Sequence, residues 1–265
     1  MKTSYDYSNT LYPGHSLPWL MSHAERSALL HLLELTRPSA AIEVGTCHGG
    51  CLEQIRRRAD FVYSIDINPE VAAKLAPGMP NVDFLTGDSK EMIGCALDKC
   101  MQRNQHLGFA LIDGDHSYAA VQNDIHALLA YRPKRPLWVL MHDSGNPECR
   151  RGIAEARWSG NPHVHMVDLD FVTGGISEDI EFERQIWGGL GIALLLPELR
   201  QGDLCVAASA SKNQAALLKA SDHYPRARRR AMRWLRVKRK GLDRRLDRIP
   251  ILRRSRLQKN SSDSK

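Results

Sequence analysis

Ala41-Ile42-Glu43-Val44-Gly45-Thr46-Cys47-His48-Gly49-Gly50 is the stretch that decides the fold class. Ala41–Val44 is a short apolar run suited to a strand, Gly45 permits a tight turn, and a helix candidate opens at about residue 49. The same alternation continues downstream. Strand candidates Ala41–Val44, Phe61–Ile65, Val82–Leu85, Phe109–Ile112 and Leu137–Met141 are separated by helix candidates near 49–58, 69–76, 89–101 and 117–131, and another follows near 148–158. Strands alternating with helices predict parallel βαβ units in a sheet covered on both faces. Upstream, Leu17–Thr36 carries Leu20, Ala24, Ala28, Leu29, Leu32, Leu33 and Leu35 at roughly helical spacing, and Pro38 stops it. Past residue 158, His163–Leu169 and Gly191–Leu196 are two more strands joined by a loop without a clear helix. They are expected to form a hairpin-like pair on one edge.

The expected architecture is therefore α/β: a doubly wound, mostly parallel, seven-stranded sheet with a basic C-terminal tail. Its expected parts are an N-terminal helical segment (1–38), a ligand-binding catalytic domain (39–207), a polar linker (208–223) and a basic amphipathic or disordered tail (224–265). The 265 residues are ample for one such domain plus an appendage.

Charge divides the chain. Of 37 Lys+Arg and 30 Asp+Glu, 17 and 3 fall in residues 223–265, a net of +14; the other 20 and 27 leave the body at −7. At 43% hydrophobic and 25% charged, the composition is that of a folded globular chain. The longest apolar run, Gly191–Pro197, is far short of the ~20 residues that span a bilayer. The first residues lack the apolar core of a secretory signal, and the six cysteines form no CxxC pair. A reducing cytoplasm is the expected location.

An acid sits at or just beyond each of the five strands: Glu43, Asp66, Asp88, Asp113 and Asp143. Ligands of open α/β sheets bind beyond the carboxyl ends of the strands. A single acid there is commonly a helix cap, and Asp88 alone fits that. Five along one edge crowd like charges at a cost of order 1 kcal/mol or more per close pair, which calls for ligands or cations. Glu43 occupies the place of the first glycine in the dinucleotide fingerprint, Gly49 lets a ligand approach the backbone, and Asp66 lies where a carboxylate grips ribose hydroxyls. The combination suits a nucleoside ligand without a diphosphate.

Glu43-x-Gly45-x-x-x-Gly49, Ser64-Ile65-Asp66-Ile67-Asn68-Pro69, Thr86-Gly87-Asp88-Ser89 and Ile112-Asp113-Gly114-Asp115-His116-Ser117-Tyr118 follow one another in this order. The chain thereby resembles class I S-adenosylmethionine-dependent methyltransferases over roughly residues 17–200. More narrowly, it resembles the branch with macrolide-sugar O-methyltransferases and cephalosporin-hydroxylase-like proteins. Ile112–Tyr118 and His142-Asp143-Ser144 are the most specific part. The resemblance implies that Glu43 and the backbone near Gly45 and Gly49 hold the methionine end of S-adenosyl-L-methionine. Asp66 takes the ribose hydroxyls in this scheme, and Asp88 and Ser89 lie beside the adenine.

It also implies that Asp113 and Asp143 are carboxylate ligands of a divalent metal, Mg²⁺ foremost. His142 is either a third ligand, favouring Mn²⁺ or Fe²⁺, or a supporting or core histidine. His116, three residues after Asp113, stands where the resembling enzymes keep a catalytic base; the alternative is a helix-start residue bonded to Asp115 or backbone. The function expected is metal-assisted O-methylation of a sugar, glycan or natural-product hydroxyl. Two alternatives stand beside it: a non-catalytic protein that keeps the cofactor fold, and a cephalosporin-hydroxylase-like oxygenase. Residues 224–256 mix Arg/Lys with Met232, Trp234, Leu235, Val237, Leu242, Leu246 and Ile249, which suits an anionic membrane surface better than nucleic acid. A homo-oligomer is compatible with all of this.

Overall fold

The computed structural model describes residues 17–177 and 182–223. The chain alternates as its sequence predicts. It runs α1 (His23–Thr36), β1 (Ala40–Val44), α2 (Gly50–Arg56), β2 (Phe61–Asp66), α3 (Pro69–Leu75), β3 (Val82–Thr86), α4 (Ser89–Gln102) and β4 (Leu107–Ile112). Then follow α5 (Tyr118–Leu128), β5 (Leu137–His142), α6 (Pro147–Ala154), β6 (Val164–Val172), β7 (Gly175–Ile176), β8 (Ile186–Trp187), β9 (Leu190–Leu195), β10 (Val206–Ala207) and α7 (Ser211–Ala220). Side-chain oxygens fix several helix starts. Asn68, Asp88, Ser117 and Asn146 each accept a backbone N–H of the first turn.

The main sheet has the order β10-β6-β9-β5-β4-β1-β2-β3. β1 lies between β2 and β4, parallel to both, and all five of its residues are buried. The order reverses between β1 and β4, which opens a crevice at their carboxyl ends. Alternate residues of β1 serve opposite faces. Ile42 and Val44 pack with Ile93, Val121, Ile125 and Ile153 from α4, α5 and α6. Ala41 lies on the other face with Leu29, Leu33, Leu52 and Ile55 from α1 and α2. Phe109, fully buried there, is worth roughly 3–5 kcal/mol against truncation to Ala.

Two expectations change. The sheet has eight strands, because the two-residue β10 pairs parallel to β6. The expected antiparallel pair forms from β6 and β9, with β9 the inner strand, antiparallel to β5 as well. A strand buried at nearly every position needs neighbours on both sides, which an edge does not offer. The polar stretch 208–223 is not a linker. It forms α7, and its anchors are polar, so hydrophobic periodicity gives no sign of it. Gln214 Nε2 donates to Gly145 O at 2.7 Å, and Arg184 pairs with Asp222 at 3.1 Å.

At the other end, the helix starts at His23 rather than Leu17; Leu17–Ser22 is an irregular lead-in with Trp19 and Met21 buried and Ser22 as the cap. The tail (224–265) and residues 1–16 lie outside the described residues. No helix among the described residues is long and apolar enough to cross a membrane. The β7–β8 hairpin forms a separate two-stranded sheet.

Candidate active site

The crevice beyond β1–β5 is a cleft of about 1060 Å³, and Gly45, Asp66, Ser89, Asp113, His116 and Asp143 all line it. Its shape begins with Gly45. Gly45 has φ +85°, and a Cβ there would stand 1.9 Å from the Asp113 carbonyl oxygen, so only glycine lets this turn lie against the chain leaving β4. Gly49 also has positive φ, but its missing Cβ makes room for Leu75 and Leu17 rather than for the cleft.

Glu43 and Asp66 bracket the Gly45 turn from two sides. Asp66 Oδ2 accepts the Cys47 N–H and Oδ1 the Asn68 N–H, both at 2.8 Å, which orients the carboxylate toward the cleft. Glu43 is fully buried beneath the turn and does not line the cleft. Its Oε2 accepts from Thr46 Oγ1 at 2.9 Å, whereas Oε1 has no hydrogen-bond partner. Burial pushes its pKa up to about 8, against the pull of the Thr46 bond.

At the β3 end, Asp88 caps α4 through the Lys90 N–H, as the cap expectation has it, while also lining the cleft. Ser89 Oγ donates to Asp124 Oδ1 at 2.5 Å. Asp124 is missing from the sequence-derived set. It is 1% exposed, its Oδ2 has no partner, and burial, with Asp88 and Asp115 adding, pushes its pKa up to about 6 despite the Ser89 bond. Its buried neighbours on α5 are Val121, Ile125 and Leu128, so the only sequence signal was an acid on an apolar helical face.

The other end of the cleft gathers ionisable groups. His116 Nε2 lies 3.1 Å from Asp143 Oδ2 and 3.7 Å from Asp113 Oδ1. One ligand atom from each of Asp113, His116 and Asp143 fits within 4.8 Å of the other two. Asp143 follows β5 directly, takes φ +55°, and accepts the Gly188 N–H on Oδ1 at 2.5 Å. Bonds from Asp113 and Asp143 raise the His116 pKa to about 10. Burial opposes ionisation of Asp143, but His142 and His116 hold its carboxyl far below the usual range.

His142 stands behind these groups, not among them. Its buried ring puts Nδ1 2.9 Å from Asp113 Oδ1 and 3.3 Å from Asp143 Oδ2. Nε2 faces Glu25 Oε1 at 3.2 Å, an ion-pair distance without the alignment of a hydrogen bond. Burial alone would lower the His142 pKa; Asp113 and Asp143 raise it well above the usual value. For Glu25, burial is outweighed by His142 and Ser22, which bring its pKa down to about 2. Glu25 lines the cleft and was not anticipated from the sequence, where it is simply a first-turn acid of α1.

Trp187 closes this end, edge-on to His116 with ring centroids 5.3 Å apart, and Phe182 packs on it at 5.0 Å. Trp158 is core, and the buried thiol of Cys149 bonds the His116 carbonyl. His163 and His165 bond the Leu196 and Glu198 carbonyls, away from the cleft.

Residues 42–144 match the family model of a methyltransferase domain. No curated protein sequence matches the chain. Among solved structures, the O-methyltransferase from Bacillus cereus in complex with SAH is similar, at 13% identity and TM-score 0.49, over 71% of this chain and 86% of that chain. The O-methyltransferase TomG from Streptomyces achromogenes, involved in tomaymycin synthesis and bound to SAM, is similar at 13% identity and TM-score 0.48. That match covers 72% of this chain and 86% of that one.

Proposed function

We propose that this chain, which carries a methyltransferase domain over residues 42–144, transfers a methyl group from S-adenosyl-L-methionine to a hydroxyl oxygen, assisted by a divalent cation. The observation that carries the proposal is the division of one cleft. Asp66 and the Gly45 turn occupy one part, and Asp113, His116 and Asp143 converge in another. S-adenosylmethionine supplies an electrophilic methyl group on a sulfonium.

Asp66 suits ribose hydroxyls, because both its oxygens are already oriented by backbone N–H groups. Asp124 Oδ2, buried and unpartnered beside Ser89, suits the exocyclic amino group of a purine. Glu43, protonated by burial beneath the turn, would add negative potential only on ionising, which ammonium and sulfonium charges beside it would favour. Asp113 and Asp143 supply two hard oxygen donors that fit Mg²⁺ or Mn²⁺, with the His116 imidazole beside them left free to act as base. A cation held there would lower the pKa of an acceptor hydroxyl.

His116 faces both carboxylates, and they favour its protonated form. It can take the hydroxyl proton once the carboxylate charge is compensated, which is the condition a dication provides. Trp187, which lines the cleft edge-on to His116, would offer an apolar wall to the acceptor. Glu25, Asp66, Asp88, Asp113, Asp115, Asp124 and Asp143 all line the cleft, so an uncharged acceptor, such as a sugar, glycan or natural-product hydroxyl, is favoured over an anionic one. The oxygenase alternative expects two histidines and one carboxylate, whereas the convergent set among the described residues has one histidine and two carboxylates.

The test is methyl transfer from labelled S-adenosylmethionine to a panel of hydroxylated acceptors, with Mg²⁺ or with EDTA. Transfer that EDTA abolishes and Mg²⁺ restores is expected. Transfer insensitive to EDTA removes the cation, and methyl groups found on nitrogen remove the O-methylation.

A further inference from the structure

Glu25 lies on α1, outside the matched domain at 42–144, and is 3% exposed. A capping box explains half of its bonding: Ser22 Oγ accepts the Glu25 N–H, and Glu25 Oε2 accepts the Ser22 N–H at 2.6 Å. It does not explain the other oxygen. Oε1 accepts the Gly189 N–H and stands 3.2 Å from His142 Nε2, so the carboxylate joins α1 to the end of β5 and to the turn before β9.

Both of those partners lead directly to the cation site. The opposite nitrogen of the His142 ring touches Asp113 and Asp143. The residue before Gly189 donates its N–H to Asp143 Oδ1. Two consecutive N–H groups are thus divided between Asp143 and Glu25. The turn that allows this has φ +70° at Gly188 and +86° at Gly189, and a Cβ on Gly188 would stand 2.9 Å from Glu25 Oε1. Glu25 thus links the ring to the turn, which the Ser144 and Gly145 N–H groups also hold through the Gly189 and Gly188 carbonyls.

We propose that Glu25 is a positioning residue for the divalent-cation site, fixing the His142 ring and the Gly188–Gly189 turn so that Asp113 and Asp143 face His116 together. The inference rests on the cation assignment of Asp113 and Asp143 beside His116. Without Glu25 the ring can turn about its side-chain bonds, and the turn loses one of its two carboxylate anchors. Asp113 and Asp143 are then no longer held to a common direction. Groups that orient metal-binding side chains typically contribute 10–100-fold in affinity. Among the described residues, the Asp66 carboxylate is bonded by the Cys47 and Asn68 N–H groups, which lie outside this chain of contacts.

The experiment uses the full chain and Mn²⁺, with bound and free ion distinguished by electron paramagnetic resonance, and S-adenosylhomocysteine affinity measured in parallel. Glu25→Ala is expected to weaken Mn²⁺ binding by about 10–100-fold. Glu25→Gln, which puts an amide donor against the Ser22 N–H, is expected to weaken it by at least about fivefold, below the full truncation effect. S-adenosylhomocysteine affinity is expected to stay within about twofold in both. A merely structural role would lower the melting temperature and both affinities together, and that result overturns the proposal. If Glu25→Ala does not fold, Glu25→Gln decides, and Mn²⁺ affinity equal to wild type overturns it. Wild-type protein that takes up no Mn²⁺ would instead sink the cation assignment itself, and this inference with it.

Discussion

Asp66 engages both carboxylate oxygens with backbone N–H groups and still lines the cleft, so its charge is oriented without being neutralised. Asp66→Ala is expected to weaken S-adenosylhomocysteine binding by roughly 1.5–3 kcal/mol, the worth of a hydrogen bond to a charged group. Isothermal titration measures it, and unchanged affinity removes Asp66 from the ribose role. Glu43 has a different consequence. Its folded pKa, about 8, is above the unfolded value, so the folded state holds a proton that the unfolded state gives up. Its contribution is fully present below about pH 4.5 and is lost as pH rises through 8, by at most about 1.4 kcal/mol per pH unit. Urea unfolding of ligand-free protein between these limits should show stability falling with pH, and Glu43→Gln should flatten that slope. An equally steep slope in the variant would assign the titration elsewhere. Asp66, Asp113 and Asp143 were legible because a strand end fixes where the next side chain points. Glu25 and Asp124 were not, since an acid on a helix looks the same whether it caps, faces water or enters a cleft.

At the scale of elements, the turns carry the precision. The β1–α2 turn can lie on the chain leaving β4 only while residue 45 lacks a Cβ, so Gly45→Ala meets both strained backbone and the Asp113 carbonyl. A loss of at least about 1–3 kcal/mol is expected, together with weaker Mn²⁺ binding as Asp113 is displaced. Gly94 provides the contrast. It is exposed within α4, and a Cβ there meets nothing within 4 Å, so Gly94→Ala should stabilise by about 0.5–1 kcal/mol. Chemical denaturation of the pair checks both signs; equal effects would show that conformational entropy, not the close approach, governs residue 45. The βαβ alternation from β1 to α6 was legible because each strand is a continuous apolar run between capped helices. The position of β9 between β5 and β6, and the existence of α7, were not. The first depends on pairing partners distant in sequence, and the second rests on Gln214 and Asp222 meeting partners that no local pattern reveals.

For the whole molecule, the decisive quantity is the separation of charge: −7 over residues 1–222 and +14 over residues 223–265. An acidic body is repelled by an anionic membrane, so any attraction must come from the basic segment, at about 1 kcal/mol per engaged Lys or Arg. We propose that this segment brings the protein to anionic lipid. Cosedimentation of the full chain with phosphatidylglycerol vesicles should be strong in dilute buffer. It should be weak in high salt, where the screening length shrinks from about 30 Å at 0.01 M to 3 Å at 1 M. Phosphatidylcholine vesicles should bind little at any salt. A chain ending at His223 keeps α7 and every cleft residue named here, so it should lose vesicle binding while its S-adenosylhomocysteine affinity stays unchanged. Binding that persists in the shortened chain would place the lipid contact on the body, against its charge. Equal binding to both lipids would mean that apolar residues such as Trp234 and Leu235, rather than the arginines around them, make the attachment.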